Sequence, residues 1–171
     1  MIDLAKIDIA RLNAPTKDIK RFVPTNEKVL VLAKHLLEDK WYLQDADRRY
    51  ELIHALIQAY LHGPMLSIMY EIGNFQGIAG FVNIIPEHKA ECILKLWDGK
   101  AFGPDLCRQM KDTTNIVMKE FRLWRLDADT PDDKIVRLAK MLGFDKEGSR
   151  KYGFMWGSKP YTNYILGKKR K

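Results

Sequence analysis

The stretch KMLGFDKEGSRK, residues 140–151, carries the clearest structural signal in the chain. Gly143 can take the left-handed backbone conformation that ends a helix, and Phe144 is expected to pack under a sheet. Gly148 is expected to turn the chain into the next strand. Before and at the start of this stretch, apolar side chains recur with helical spacing, at Ile135, Leu138, Ala139 and Leu142. The residues around 140–151 therefore predict a helix that ends against a sheet and continues into a strand.

The start of this helix also has a local signature. Thr130 is predicted to be the N-cap, Pro131 the first helical residue, and Asp133 the partner that completes a capping box. The sequence therefore predicts a helix over about residues 131–142.

The same reading, extended to the rest of the chain, predicts alternating helices and short apolar strands. Residues 1–18 form a lead-in, and residues 122–129 form the strand before the helix just described. We expect Trp124, in the strand RLWRLDAD, and Trp97, at the end of the strand ECILKLW, to lie in the core. The remaining elements are a strand at 19–23, helices from 25 and over 45–61, strands at 65–72, 77–85 and 91–97, a helix over 104–121, and strands at 149–157 and 161–167. Helices must cover such a sheet to bury its apolar faces, which gives an α/β (α+β) architecture.

The predicted helix over 104–121 has a consequence for the centre of the sheet. It connects the strands at 91–97 and 122–128, and such a crossover requires these two strands to be parallel.

The order of elements and the stretch 140–151 resemble the GCN5-related N-acetyltransferase (GNAT) superfamily. The family's helix end and closing hairpin have a Leu-Gly-Phe, a Glu-Gly and an Arg in step, which are matched here by 142–144, 147–148 and Arg150. The resemblance covers residues 65–167 well. The chain is similar to divergent members of the family from phages and prophages. It implies one domain over 1–171, with a mixed sheet of about six to seven strands and about four helices. It also implies that the two parallel strands splay apart.

A second stretch, DGKAFGPDL at 98–106, resembles the loop with which this family holds the diphosphate of coenzyme A (CoA). Asp98 stands at the family's Arg or Gln position, Ala101 at its first Gly and Gly103 at its second. Backbone N–H groups and a helix N-terminus bind the phosphates in such loops. The resemblance implies acetyl-CoA as donor and a binding set made of Ile93, Leu94, Lys95, Asp98, Gly99, Lys100, Ala101, Phe102, Gly103 and Asp132.

The activity implied is transfer of an acyl group from CoA to an amine by direct attack, which requires a group that accepts the amine's proton. Ala139 occupies the position where the family often has a Tyr acid. Candidate bases are the strand-end carboxylates Glu71, Glu91 and Asp127, with Asp129 beside them. We expect no metal site, and a small-molecule or protein amine as acceptor. The oligomeric state stays open, including a dimer.

The alternative function is a non-catalytic module of the same fold that binds a partner. Net charge is +7, and eight basic residues against two acidic ones lie from Asp145 onward. A basic tail at 168–171 could contact nucleic acid, although solubility explains it more simply. Cys92 and Cys107 lack paired spacing, and no apolar run is long enough for a membrane helix. These features predict a cytoplasmic protein.

Overall fold

A computed structural model describes residues 7–38, 67–98, 103–156 and 159–170. The predicted helix over 45–61 and residues 99–102 of the predicted loop lie outside these ranges. The described part contains seven strands and four helices, in agreement with the predicted mixed α+β class.

The helices and strands follow the predicted order. The helices are α1 (Ile9–Asn13), α2 (Asn26–Glu38), α3 (Pro104–Glu120) and α4 (Asp133–Met141). The strands are β1 (Ile19–Arg21), β2 (Ser67–Ile72), β3 (Gly77–Ile85), β4 (Lys89–Leu96), β5 (Arg125–Thr130), β6 (Asp145–Trp156) and β7 (Lys159–Lys169). The sequence allows Thr25 or Asn26 as the N-cap of α2, and the Thr25 hydroxyl accepts a hydrogen bond from the Lys28 N–H at 3.2 Å, so Thr25 is the cap.

The strands form one sheet in the order β1-β2-β3-β4-β5-β7-β6. Every neighbouring pair is antiparallel except β4 and β5, which are parallel and connected through α3. The crossover argument is therefore confirmed. Because β4 and β5 occupy the middle of the sheet, the antiparallel pairs lie on either side of this parallel one.

Each face of the sheet is covered by its own helices. Side chains from α1, α3 and α4 pack with the sheet around Tyr70, Val117 and Leu126, which are all fully buried. On the other face, Leu32 and Leu36 of α2 pack on Met69 and Ile78. We call these the α3/α4 face and the α2 face. Burial of these apolar side chains is the main source of stability in such a fold.

The end of α4 forms as the sequence predicts. Gly143 has φ +91°, its N–H bonds the Lys140 carbonyl at 3.0 Å, and the Phe144 N–H bonds the Ala139 carbonyl at 2.9 Å. This pair of bonds is the Schellman arrangement, which satisfies carbonyls that a helix end would otherwise leave unpaired. Phe144 is buried at 5% exposure.

The start of α4 differs from the prediction. Thr130 is the last residue of β5, and its hydroxyl accepts a bond from the Asp132 N–H at 3.1 Å. Asp132 is the N-cap, since its carboxylate accepts a bond from the Lys134 N–H at 2.8 Å. The predicted cap was wrong because α4 begins at Asp133, two residues later than predicted, and Thr130 is still paired with Tyr164 of β7.

Three further expectations are corrected. Strand β5 begins at Arg125 instead of residue 122, because Arg122 has φ +53° in the turn that ends α3. Trp124 is 63% exposed, not in the core, and Arg170 lies over its ring at 5.2 Å. Gly148 lies inside β6, at a register shift, instead of turning the chain into it.

The predicted basic tail is partly a strand. Lys168 and Lys169 pair with Leu126 and Arg125 of β5, and Lys168 is 7% exposed. Its Nζ donates to the Leu142 carbonyl at 2.9 Å, just below the end of α4. The ladder with β5 and this bond therefore hold Lys168 inside the fold.

Candidate active site

The parallel pair at the centre of the sheet separates soon after it forms. Pairing of β4 with β5 ends at Glu91 and Asp127. Beyond them β4 stays paired with β3 up to Leu96, and β5 stays paired with β7 up to Thr130. The two halves of the sheet therefore diverge, as the resemblance implied.

A cavity of about 770 Å³ fills this gap. Its walls come from residues 79–81 of β3, 92–96 of β4, 128–132 at the end of β5, Met110 and Thr114 of α3, and Ile135 and Ala139 of α4. Because side chains alternate along a strand, the lining includes both sheet faces: Leu94 belongs to the α3/α4 face and Ile93 to the α2 face. The cavity is thus in contact with both sides of the sheet.

The predicted phosphate loop is described only at its two ends. The Asp98 N–H bonds the Gln76 carbonyl at 3.3 Å, and the Asp98 side chain is exposed. Gly103 is the N-cap of α3 with φ −83°, and none of the described residues would come within 4 Å of a Cβ atom there. The N-terminus of a helix such as α3 attracts anions.

The carboxylate of Asp105, in the first turn of α3, is held by neighbours. Lys17 Nζ lies 3.1 Å from it and Gln109 Nε2 donates to it at 3.0 Å. These contacts hold the pKa of Asp105 below its usual range, with the Lys17 bond as the main cause. Its charge is therefore partly balanced by Lys17 at this helix end.

The three carboxylates predicted as bases do not line the cavity. Glu71 pairs with Lys28 on the α2 face. Glu91 is exposed and accepts a bond from Asn83 Nδ2 at 3.1 Å. Asp127 pairs with Arg125 and lies 3.7 Å from Lys89. Asp129, named beside them from the sequence, does line the cavity.

Asp129 has a partner that sequence reasoning missed. Asn163 of β7, 8% exposed, donates from Nδ2 to Asp129 Oδ2 at 2.8 Å and also lines the cavity. Because a carboxylate only accepts, this bond fixes the orientation of the amide. Within the described residues Asn163 Oδ1 has no hydrogen-bond partner. An Asn inside a strand, where this residue type is disfavoured, was the available signal.

Lys95 and Asp132 occupy opposite walls. Burial lowers the pKa of Lys95 to about 8, while the charge of Asp132 acts in the other direction. Asp132 lines the cavity through its place at the N-terminus of α4. Ala139 contributes a methyl group where a Tyr hydroxyl was expected from the family. Burial also raises the pKa of the Cys92 thiol, which favours its neutral form.

The Glu of the Glu-Gly pair in the stretch 140–151 has a structural partner. Glu147 of β6 makes a two-pronged ion pair with Arg125 of β5, and one of its bonds measures 3.0 Å. Such paired geometry is the strong form of this contact. Glu147 therefore connects β6 to β5 across the intervening β7.

Two kinds of site are not found in the described part of the chain. None of its groups of His, Cys, Asp or Glu could hold a metal ion. Over the same residues, no helix is both long and apolar enough to cross a membrane.

Comparisons with known proteins place this architecture. No protein-family model and no curated protein matches the chain. Among solved structures, it is similar to RimL, a ribosomal-protein α-N-acetyltransferase in complex with CoA, at 16% identity, with 92% of this chain and 97% of that chain covered and a TM-score of 0.63.

Two further solved structures agree with that one. A spermidine N-acetyltransferase SpeG chimera from Vibrio cholerae and hSSAT has 14% identity, 90% and 96% coverage and a TM-score of 0.68. An acetyltransferase of the GNAT family from Bacillus anthracis has 13% identity, 90% and 95% coverage and a TM-score of 0.64. The splayed parallel strands and these similarities show that the chain has the fold of the GNAT acetyltransferases.

Proposed function

We propose that the chain is an N-acyltransferase that uses acyl-CoA, with acetyl-CoA as donor, and an amine as acceptor. The observation that carries the proposal is the cavity between the splayed strands β4 and β5. The CoA in the similar RimL structure supports the choice of donor.

The donor fits the gap for a physical reason. Beyond Glu91, β4 is not paired with β5, so the backbone groups of 92–96 that point away from β3 face the gap, where the amide-bearing arm of CoA would lie. We assign the hydrogen bond to the thioester carbonyl to an N–H of Ile93, Leu94 or Lys95. The thioester supplies an activated acyl group when bound. The N-terminus of α3 at Gly103 would hold the phosphates, together with the predicted loop at 98–103.

We assign the acceptor side to Asp129. Its carboxylate lines the cavity, whereas Glu71, Glu91 and Asp127 lie outside the lining and are engaged by neighbouring side chains. Asp129 would hold the acceptor's ammonium group and accept its proton, with Asn163 fixing the carboxylate. Ala139 offers no proton, so the leaving thiolate would be protonated by water.

The acceptor's chemistry follows from the charges around the cavity. Three acidic residues line it, Glu38, Asp129 and Asp132. Among the described residues of the lining, Lys95 is the one basic side chain. This balance favours a cationic amine, either on a small molecule or on a protein. We place the protein in the cytoplasm, where the free Cys92 and Cys107 would stay reduced.

Calorimetric titration of the purified chain with acetyl-CoA tests the proposal. Asp98→Arg removes a carboxylate beside the expected phosphates and should tighten binding, by about 1 kcal/mol for an exposed charge. Asp145→Arg makes the same charge change on the edge strand β6 and should leave affinity unchanged.

A second pair of variants tests the approach to α3. Gly103→Val should abolish binding, because its bulk would block the close approach of the phosphates to the backbone at the N-terminus of α3. Gly148→Val is the matched control, since a Cβ there would contact just Ile165 Cδ1, at 3.9 Å, among the described residues. Absence of any heat from both the unmodified chain and Asp98→Arg would refute the proposed function.

A further inference from the structure

Lys95 places an amine inside the cavity that we assign to the acyl donor. It lies on β4 beyond the point where pairing with β5 ends, paired with Ile78 of β3. Of the described residues that line the cavity, it is the only Lys or Arg. The surrounding wall is mostly apolar, with Ile93, Leu94, Leu96, Met110, Ile135 and Ala139.

This apolar wall changes the chemistry of the amine. Burial lowers the pKa of Lys95 to about 8, and the carboxylate of Asp132 only partly opposes the change. At pH 8 about half of Lys95 is neutral, whereas an exposed lysine of ordinary pKa is roughly 0.3% neutral. The neutral amine is the nucleophile in acyl transfer, so the lowered pKa gives Lys95 a larger reactive fraction than an exposed lysine has.

We propose that Lys95 is acylated on Nζ by the acyl-CoA bound in the same cavity. This inference rests on the proposed function. Nζ forms a bond to the thioester carbonyl carbon, the carbon–sulfur bond breaks, and CoA leaves as its thiolate. The proton displaced from Nζ passes to water, which returns a proton to the thiolate. Shared confinement of the two groups supplies the proximity that such a step requires.

The product is a stable amide, so Lys95 is a self-modification site and not an intermediate of turnover. Acylation removes the positive charge from the described lining and leaves Glu38, Asp129 and Asp132. The modified cavity would attract a cationic acceptor more strongly.

Incubation of the full chain with acetyl-CoA, followed by intact-mass measurement and peptide mapping, tests the inference. We expect one acetyl group to be added first, at Lys95, with a rate that rises through pH 8. Lys95→Arg should remove this first addition. Lys34→Arg is the control, because the Lys34 side chain is 71% exposed on α2, and it should leave the addition intact. Addition spread over exposed lysines, with Lys95 not preferred, would overturn the inference.

A reagent that needs no CoA provides an independent readout. N-Acetoxysuccinimide at low concentration should label Lys95 at least tenfold faster than Lys34 in the folded chain at pH 7.5. That preference should vanish when the chain is unfolded in urea. Equal or slower labelling of Lys95 in the folded chain would refute its activation.

Calorimetry with CoA on wild type and Lys95→Arg separates the two proposals. Binding of CoA without acetylation of Lys95 refutes only the self-modification. Absence of CoA binding refutes the proposed function, and the self-modification with it.

Discussion

Lys168 offers a quantitative test of how a charged side chain is held inside this fold. The residue is 7% exposed, and its Nζ donates to the Leu142 carbonyl at the end of α4 and lies 6.0 Å from the centre of the Phe144 ring. Burial lowers the pKa of Lys168 to about 8, from an ordinary value of 10.5. The fold therefore binds this proton more weakly than the unfolded chain does.

The pH dependence follows directly. Between pH 8 and 10.5 the unfolded chain keeps the Lys168 proton while the folded chain has lost it, so the free energy of unfolding rises with pH in this window. The contribution of Lys168 to that rise is about 3 kcal/mol, from the difference between the two pKa values. Below pH 8 both states are protonated, and the cost of burying the charge is fully present.

Lys168→Met keeps most of the packed stem and removes the titration. It also loses the bond to the Leu142 carbonyl, which costs about 1 kcal/mol at every pH. The difference in unfolding free energy, wild type minus variant, should therefore increase by about 3 kcal/mol between pH 7 and 10.5. Urea unfolding at half-unit pH intervals measures it.

Lys169→Met is the matched control, because Lys169 is the next residue of β7 and is exposed. Its difference from wild type should stay nearly flat over the same range. A flat difference for Lys168→Met as well would refute the assignment of the pH dependence to the buried amine.

Two further changes test the ends of α4. Gly143→Ala should lower the free energy of unfolding by about 1 kcal/mol, because Gly143 has φ +91°. Gly148→Ala is the control at an unstrained position and should change that free energy little. Thermal and urea unfolding measure both variants. Asp132→Ala removes the N-cap bond to the Lys134 N–H and should also cost about 1 kcal/mol, measured in the same way, and an unchanged midpoint would contradict the cap assignment.

Features that depend on neighbours along the chain could be predicted from the sequence. The order of elements, the cap of α2 at Thr25 and the left-handed Gly143 all follow from short-range hydrogen bonding and backbone sterics. The parallel pairing of β4 and β5 followed from the one helix that connects them, through the handedness and length of such crossovers.

The candidate site could be predicted only in part. The family resemblance named Ile93, Leu94, Lys95 and Asp132 as part of a CoA-binding set, which stays a prediction, and all four line the cavity. It could not separate Asp129 from Asp127, because both alternate onto the same face of β5. Only the end of pairing after Asp127 leaves Asp129 beside the gap.

By itself, the sequence determined the local structure and the order in which helices and strands meet. The tertiary structure decided which polar and charged side chains are buried and which partners they meet, because each of those contacts joins residues distant along the chain. Asn163 meets Asp129 across 34 positions, and Lys168 meets Leu142 across 26. A local sequence pattern does not identify such a partner. Lys168 was therefore predicted to lie in a solvated tail, whereas the sheet buries it.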